Sequence, residues 1–189
     1  DQAACHTNIG AVFDDMSRYE EAIARQEKAL AMLAKIPGAE RQQAGCYVNI
    51  GVALQNMARY EEAVALTEKA LAMYQQIKGT ERDQADCHTN IGGVLTGMSR
   101  YEEAITRQEK ALAMYQQIRG AENDREAARA RIAEVQRKQG RFSEAVAGFR
   151  QAREQLWGVQ LNTGLARALE RMGLAEDLRI MDAVSSAFQ

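Results

Sequence analysis

The sequence predicts an all-α chain built from stacked helix pairs, and three observations predict it. The 189 residues are 46% apolar and 26% charged with a single proline, Pro37, which is the composition of a helix-rich globular chain. The segment Cys5-His6-Thr7-Asn8-Ile9-Gly10 returns as Cys46-Tyr47-Val48-Asn49-Ile50-Gly51 and again as Cys87-His88-Thr89-Asn90-Ile91-Gly92, a period of 41 residues. Within a copy, Cys5, Ile9, Val12, Phe13 and Met16 follow the spacing of an apolar helix stripe. Alanine is abundant and only 11 residues are aromatic, four Phe, one Trp and six Tyr, so thin helix-on-helix packing is expected rather than one thick core.

Taken in order, the first helix of each copy (helix A) spans roughly Gln2 to Met16 in the first. After a short turn around Ser17-Arg18, Tyr19, Ala22, Ile23, Ala29, Leu30, Leu33 and Ile36 mark helix B. Glu20 and Glu21 occupy its first turn, where the helix dipole favours acid, and Glu21 is placed to pair with Arg25 at i+4. Helix B is expected to run to Pro37-Gly38, and to Gly79 and Gly120 in the later copies. Thr80 with Asp83 has the spacing of a capping box opening the third helix A. Residues 1–36 and 83–118 agree at 27 of 36 positions, and a looser fourth copy carries Arg141-Phe142-Ser143-Glu144-Ala145-Val146.

Several function classes are excluded at this level. No run approaches the roughly 18 apolar residues of a membrane span, and no charged-then-apolar leader opens the chain, so a cytoplasmic protein is expected. A formal net charge of −2 argues against electrostatic nucleic-acid binding. Neither a Gly-rich phosphate loop nor a G-x-S-x-G elbow nor an H-E-x-x-H helix is present. The pairs Glu20-Glu21, Glu61-Glu62 and Glu102-Glu103 read as helix-start charges rather than catalytic acids. Cys5, Cys46 and Cys87 recur at one place in successive copies. Neighbouring helices about 8–10 Å apart exceed the ~7 Å limit for a disulfide, so all three are expected as buried packing residues. His6 and His88 stand two copies apart, too far to share a metal. No cofactor is expected.

These units resemble the tetratricopeptide repeat, whose helix A follows W-x₂-L-G-x₂-Y and whose helix B carries two spaced small residues. The matching residues are His6, Ile9, Gly10, Phe13, Ala22 and Ala29 in the first unit, and Tyr47, Ile50, Gly51, Leu54, Ala63 and Ala70 in the second. They are His88, Ile91, Gly92, Leu95, Ala104 and Ala111 in the third, and Arg129, Ile132, Ala133, Gln136, Ala145, Phe149 and Ala152 in the divergent fourth. The period exceeds the usual 34 by two helical turns, which is similar to the longer repeats of kinesin light chains. The resemblance implies a right-handed α-solenoid, with repeats at about 1–41, 42–82, 83–123 and 124–157. A degenerate fifth helix pair with capping helices is expected over 158–189, from Gly164 to Gly173 and from Ala175 to Phe188.

One polar stripe stands beside the apolar face of helix A. At 100° per residue Ala4, Asn8, Ala11 and Asp15 fall together, followed in the next copies by Gly45, Asn49, Val52 and Asn56, by Asp86, Asn90, Gly93 and Gly97, and by Ala127, Arg131, Glu134 and Lys138. The resemblance implies that helix A lines the concave surface, so Asn8, Asn49 and Asn90 form a ladder able to grip the backbone of an extended peptide. Arg131 replaces the ladder Asn in the fourth unit. If Arg129 points inward beside it, that end favours an acidic peptide or a carboxylate. Asp15, Asn56 and Lys138 complete the candidate set.

The expected function is therefore a non-catalytic module that binds a protein or an extended peptide, with neither nucleic acid nor membrane as partner. The rival readings are a spacer or self-assembly solenoid, and the sensor region of a larger bacterial signalling protein. Asp1-Gln2-Ala3 matches Asp83-Gln84-Ala85, so the chain opens at a repeat boundary, and head-to-tail self-association through an uncapped N-terminal repeat is expected.

Overall fold

The computed structural model describes residues 2–155, and among them the fold is all-α: α1 (Gln2–Asp15), α2 (Tyr19–Leu33), α3 (Glu40–Asn56), α4 (Tyr60–Gln75), α5 (Glu81–Gly97), α6 (Tyr101–Gln117), α7 (Glu122–Lys138) and α8 (Phe142–Gln155). The expected fifth helix pair and capping helices at 158–189 lie outside the described residues. The chain divides into two compact units, Asp1–Met114 and Tyr115–Gln189, the boundary falling in the last turn of α6.

In the first unit each helix packs on the next, α1 on α2, α2 on α3, α3 on α4 and α4 on α5, and the odd-numbered helices also touch one another. Small residues make this possible. Ala22 and Ala29 of α2, Ala63 and Ala70 of α4, and Ala104 and Ala111 of α6 are at most 3% exposed. A Cβ added to Gly10 would stand 2.7 Å from Gln26 Nε2 and 3.3 Å from the Ala22 carbonyl oxygen, so the two backbones meet where glycine leaves room. Between successive pairs, Ile23 and Leu30 of α2 pack against Ile50 and Leu54 of α3, with Val94 of α5 joining them.

In the second unit the arrangement is inverted. Ala133 of α7 replaces the helix A glycine, and α8 supplies the small partner: a Cβ on Gly148 would lie 2.9 Å from Ala133 Cβ. Phe149, buried beside it, occupies the place that Gln26 and Gln108 hold in the earlier copies.

The helix A to helix B turns share one geometry. Arg18 N–H donates to the Phe13 carbonyl and Ser17 N–H to Asp14, each at 2.8 Å, and the pattern recurs at Arg59 to Leu54, Arg100 to Leu95 and Arg141 to Gln136. These are the paired closing bonds of a Schellman motif, which needs one left-handed residue. Ser17, Ala58 and Ser99 fill that place with φ of 57°, 58° and 59°, and only the fourth turn uses a glycine, Gly140. A left-handed alanine costs about 1 kcal/mol. Ala58→Gly is therefore expected to stabilise the fold by roughly 0.5–1 kcal/mol, read as a rise in the chemical-denaturation midpoint with unchanged slope.

Local chemistry departs from expectation at three places. Glu21 pairs with Arg18 rather than Arg25, its two oxygens accepting from Nε at 2.6 Å and Nη2 at 2.5 Å. The same fork recurs between Arg59 and Glu62 and between Arg100 and Glu103. The turn holds the arginine just ahead of helix B, where its planar fork meets a carboxylate three residues on. Helix B stops short of the glycines: α2 ends at Leu33, tighter turns follow in which Lys35 N–H bonds Met32 and Ile36 N–H bonds Leu33, and Gly38 turns left-handed at φ 79°. Thr80 makes no capping bond to α5. Its buried hydroxyl lies 2.6 Å from the Tyr74 carbonyl oxygen and 2.8 Å from that of Ile77, satisfying the end of α4 instead.

Candidate functional site

The stacking of α1, α3 and α5 opens a cleft of about 400 Å³ in the first unit. Ala4 and Asn8 of α1 form one wall, Gly45 and Asn49 of α3 the next, and Asp83 and Asp86 of α5 the far end, with Leu33 and Tyr74 reaching in from the ends of α2 and α4. The small side chains of Ala4 and Gly45 keep it open. Asn8 and Asn49 are both exposed, and neither side-chain amide has a hydrogen-bond partner among the described residues. Each therefore presents a donor and an acceptor to whatever enters.

The remaining candidates are distributed unevenly. Asn90 is half-buried on α5 and does not line this cleft. Asp15 is exposed at the end of α1 and borders a second hollow of about 120 Å³ with Asp14 and Asn49. Asn56 is exposed near the end of α3. Burial is the main influence on Asp14 and raises its pKa, with the nearby Asn56 pulling the other way. Arg129, Arg131 and Lys138 belong to α7 in the second unit. Arg129 is paired with Glu126, whose side chain is 1% exposed. A buried carboxylate three residues away holds that guanidinium in an ion pair. Arg131 and Lys138 are exposed.

The thiols divide as well. All three cysteines are free; Cys46 and Cys87 are buried as expected, but Cys5 is exposed. Cys46 Sγ lies 3.8 Å from Thr7 Oγ1 of the preceding helix pair, whereas among the described residues no helix lies over Cys5 in that way. Burial pushes the Cys87 thiol up to about 12, with Asp86 and Asp83 adding to it. His88 is buried, and desolvation lowers its pKa with help from Arg107, which lies 3.5 Å from Nδ1 and bonds Glu68 of α4 at 2.5 Å. Among the described residues no three His, Cys, Asp or Glu side chains are grouped to hold a metal.

Tyr74 and Asp83 line the cleft but stood outside the polar stripe, whereas Asp86 stood in it beside Asn90 without joining the candidate set. Gly45, a small residue in the same stripe, leaves room opposite for a long side chain to extend.

Helices joined in consecutive pairs through small residues, with the pairs of the first unit burying their faces on one another, define a helical repeat protein of the solenoid class. Comparison with known proteins is more specific. A profile of the tetratricopeptide repeat matches residues 1–76, 42–117 and 83–156, and the chain belongs to that family. Three solved structures share its fold. A protein of nearly identical TPR-like repeats from Podosopora anserina, named for kinesin light chain, is 19% identical with a TM-score of 0.75 over 97% of this chain and 96% of that one. Aspartyl phosphate phosphatase F from Bacillus subtilis is 15% identical with a TM-score of 0.85, over 97% of this chain and 49% of its own. The Rap conjugation gene regulator of the plasmid pLS20, solved with the Phr* peptide, is 24% identical with a TM-score of 0.79, over 92% and 49%. No curated protein matches the sequence. Among the described residues no helix is long and apolar enough to cross a membrane.

Proposed function

We propose that this chain is a non-catalytic protein-interaction module whose cleft takes an extended peptide, with Asn8 and Asn49 reading its backbone and Asn90 continuing the row on α5. The observation that carries this is the pair of unengaged amides on the walls of an open cleft of about 400 Å³, a volume within the range of ligand sites. A carboxamide matches the N–H and C=O of a peptide whatever its side chains. The likeness to the Phr*-bound Rap regulator supports the reading at the level of the fold. We assign the chain to the cytoplasm, where three free thiols stay reduced.

The test is a peptide-display selection on the purified chain, with hits retested on Asn8→Ala, Asn49→Ala, Asn90→Ala and their combinations. Peptides that bind the wild type and are lost from the Asn8→Ala/Asn49→Ala variant support the proposal. Absence of any binder, or binding that survives the substitutions, removes it.

A second reading is favoured by one observation. Val12 is 55% and Met16 57% exposed on α1, while the residues one and two periods after Val12, Ala53 and Val94, are 1% exposed. That face of α1 is dressed to be covered by another helix pair, and a second copy of the chain is the occupant proposed here. Sedimentation equilibrium is expected to show concentration-dependent association that Val12→Glu/Met16→Glu abolishes. A monomer at all concentrations would rule this out.

A further inference from the structure

The cleft has a chemical bias that its backbone-reading amides do not explain. Asp83 and Asp86 both line it, and no lysine or arginine does. Arg41 reaches Asp83 at 2.8 Å, but its side chain is 60% exposed and stays outside the lining. Tyr74 makes the second, independent observation. The residue is 5% exposed, its hydroxyl has no hydrogen-bond partner among the described residues, and that hydroxyl lies 3.6 Å from where a Cβ on Gly45 would stand, both residues facing the cleft. The ring is packed away and the unpaired hydroxyl opens on the cleft, where Gly45 keeps the space before it clear. Burial raises the pKa of Tyr74, and the charges of Asp83 and Asp86 raise it further against the opposing charge of Arg41, so the hydroxyl keeps its proton.

We propose that this end of the cleft is a subsite for the cationic side chain of a bound peptide, lysine or arginine, with Asp83 and Asp86 balancing its charge and the Tyr74 hydroxyl oxygen accepting one of its N–H bonds. The inference rests on the peptide reading above and gives it a side-chain specificity. Leu33 and Val48, which also line the cleft, offer apolar surface to the stem of such a side chain while its head meets the carboxylates. An ammonium or guanidinium carries donors alone, which suits a site whose groups at this end are two carboxylates and a hydroxyl able to accept.

The experiment is a selection of random dodecapeptides on the wild-type chain, followed by affinity measurements on a synthetic hit and on the same peptide with its basic residue replaced by Gln. The expected result is enrichment of Lys and Arg at one position, a loss of at least tenfold with the Gln peptide, and weakening as salt rises. Asp86→Lys is expected to reverse the preference toward acidic peptides. Tyr74→Phe is expected to weaken the basic hit several-fold while leaving the Gln peptide unchanged. If binders emerge without basic enrichment, or the Gln peptide binds equally well, the subsite is overturned and the peptide reading stands. If no peptide binds at all, both fall. Should Asp86→Lys fail to fold, the comparison of the two peptides on the wild type still decides.

Discussion

Gly51→Leu is expected to destabilise the fold by about 3 kcal/mol, seen as a melting temperature about 10 °C lower. Gly51 sits in α3, which packs against α2 and α4 and touches α1 and α5. A Cβ there would stand 2.5 Å from Thr67 Oγ1 and 3.3 Å from the Ala63 carbonyl oxygen. The hydroxyl could rotate away only by giving up its 2.8 Å bond to that same carbonyl, and the carbonyl is backbone and cannot yield without moving α4. The gain in helix propensity from replacing glycine, about 0.8–1 kcal/mol, opposes this and is the smaller effect. Gly93→Ala isolates that smaller effect. Its Cβ would meet only the Gln55 carboxamide, Nε2 at 3.5 Å and Oε1 at 3.9 Å, both ordinary contacts, so this variant is expected to melt higher than the wild type. If Gly51→Leu melts within 2 °C of the wild type, close backbone approach is not what glycine supplies at this place.

That glycine was legible in the sequence because three copies repeat it in phase with the apolar stripe, at Gly10, Gly51 and Gly92. Legibility failed where one residue type has two physically different uses. Thr80 with Asp83 has the local spacing of a capping box, yet the Thr80 hydroxyl turns back to the carbonyls of Tyr74 and Ile77. Spacing along one helix says nothing of the free acceptors at the end of the helix before. Cys5 and Cys46 have the same local sequence setting but different neighbours, because among the described residues Cys46 is pressed against Thr7 of another helix pair and Cys5 is not. Periodicity reports what each copy is, and burial depends on what flanks it.

The candidate site was legible in the same uneven way. Asn8 and Asn49 reach one cleft because helical phase alone places them on neighbouring faces. Asn56 shares their stripe but stands outside the lining of the cleft. Tyr74 could not have been placed from sequence, since its hydroxyl reaches Gly45 across 29 residues of chain and a helix pair. Arg129 had its partner in plain view at i−3, and what the sequence did not reveal is that Glu126 would be buried while the arginine stays partly exposed.

The Asn8→Ala/Asn49→Ala variant is expected to lose about 3 kcal/mol of peptide affinity, roughly a hundredfold, while its circular dichroism and melting temperature stay near those of the wild type. Stability is spared because both side chains are exposed and hold no hydrogen-bond partner among the described residues, and alanine is the better helix former. Affinity is lost because each amide removed leaves a peptide N–H or C=O facing alanine inside a cleft, where an unpaired polar group costs more than the bond contributed. The two losses should be nearly additive if each amide meets a different peptide unit. If both grip a single unit, either substitution alone should cost most of the total. The single variants therefore report the register of the peptide as well as its presence. A double variant that binds selected peptides within threefold of the wild type would mean that the amides are solvated ornaments of the stripe and that affinity resides elsewhere in the cleft.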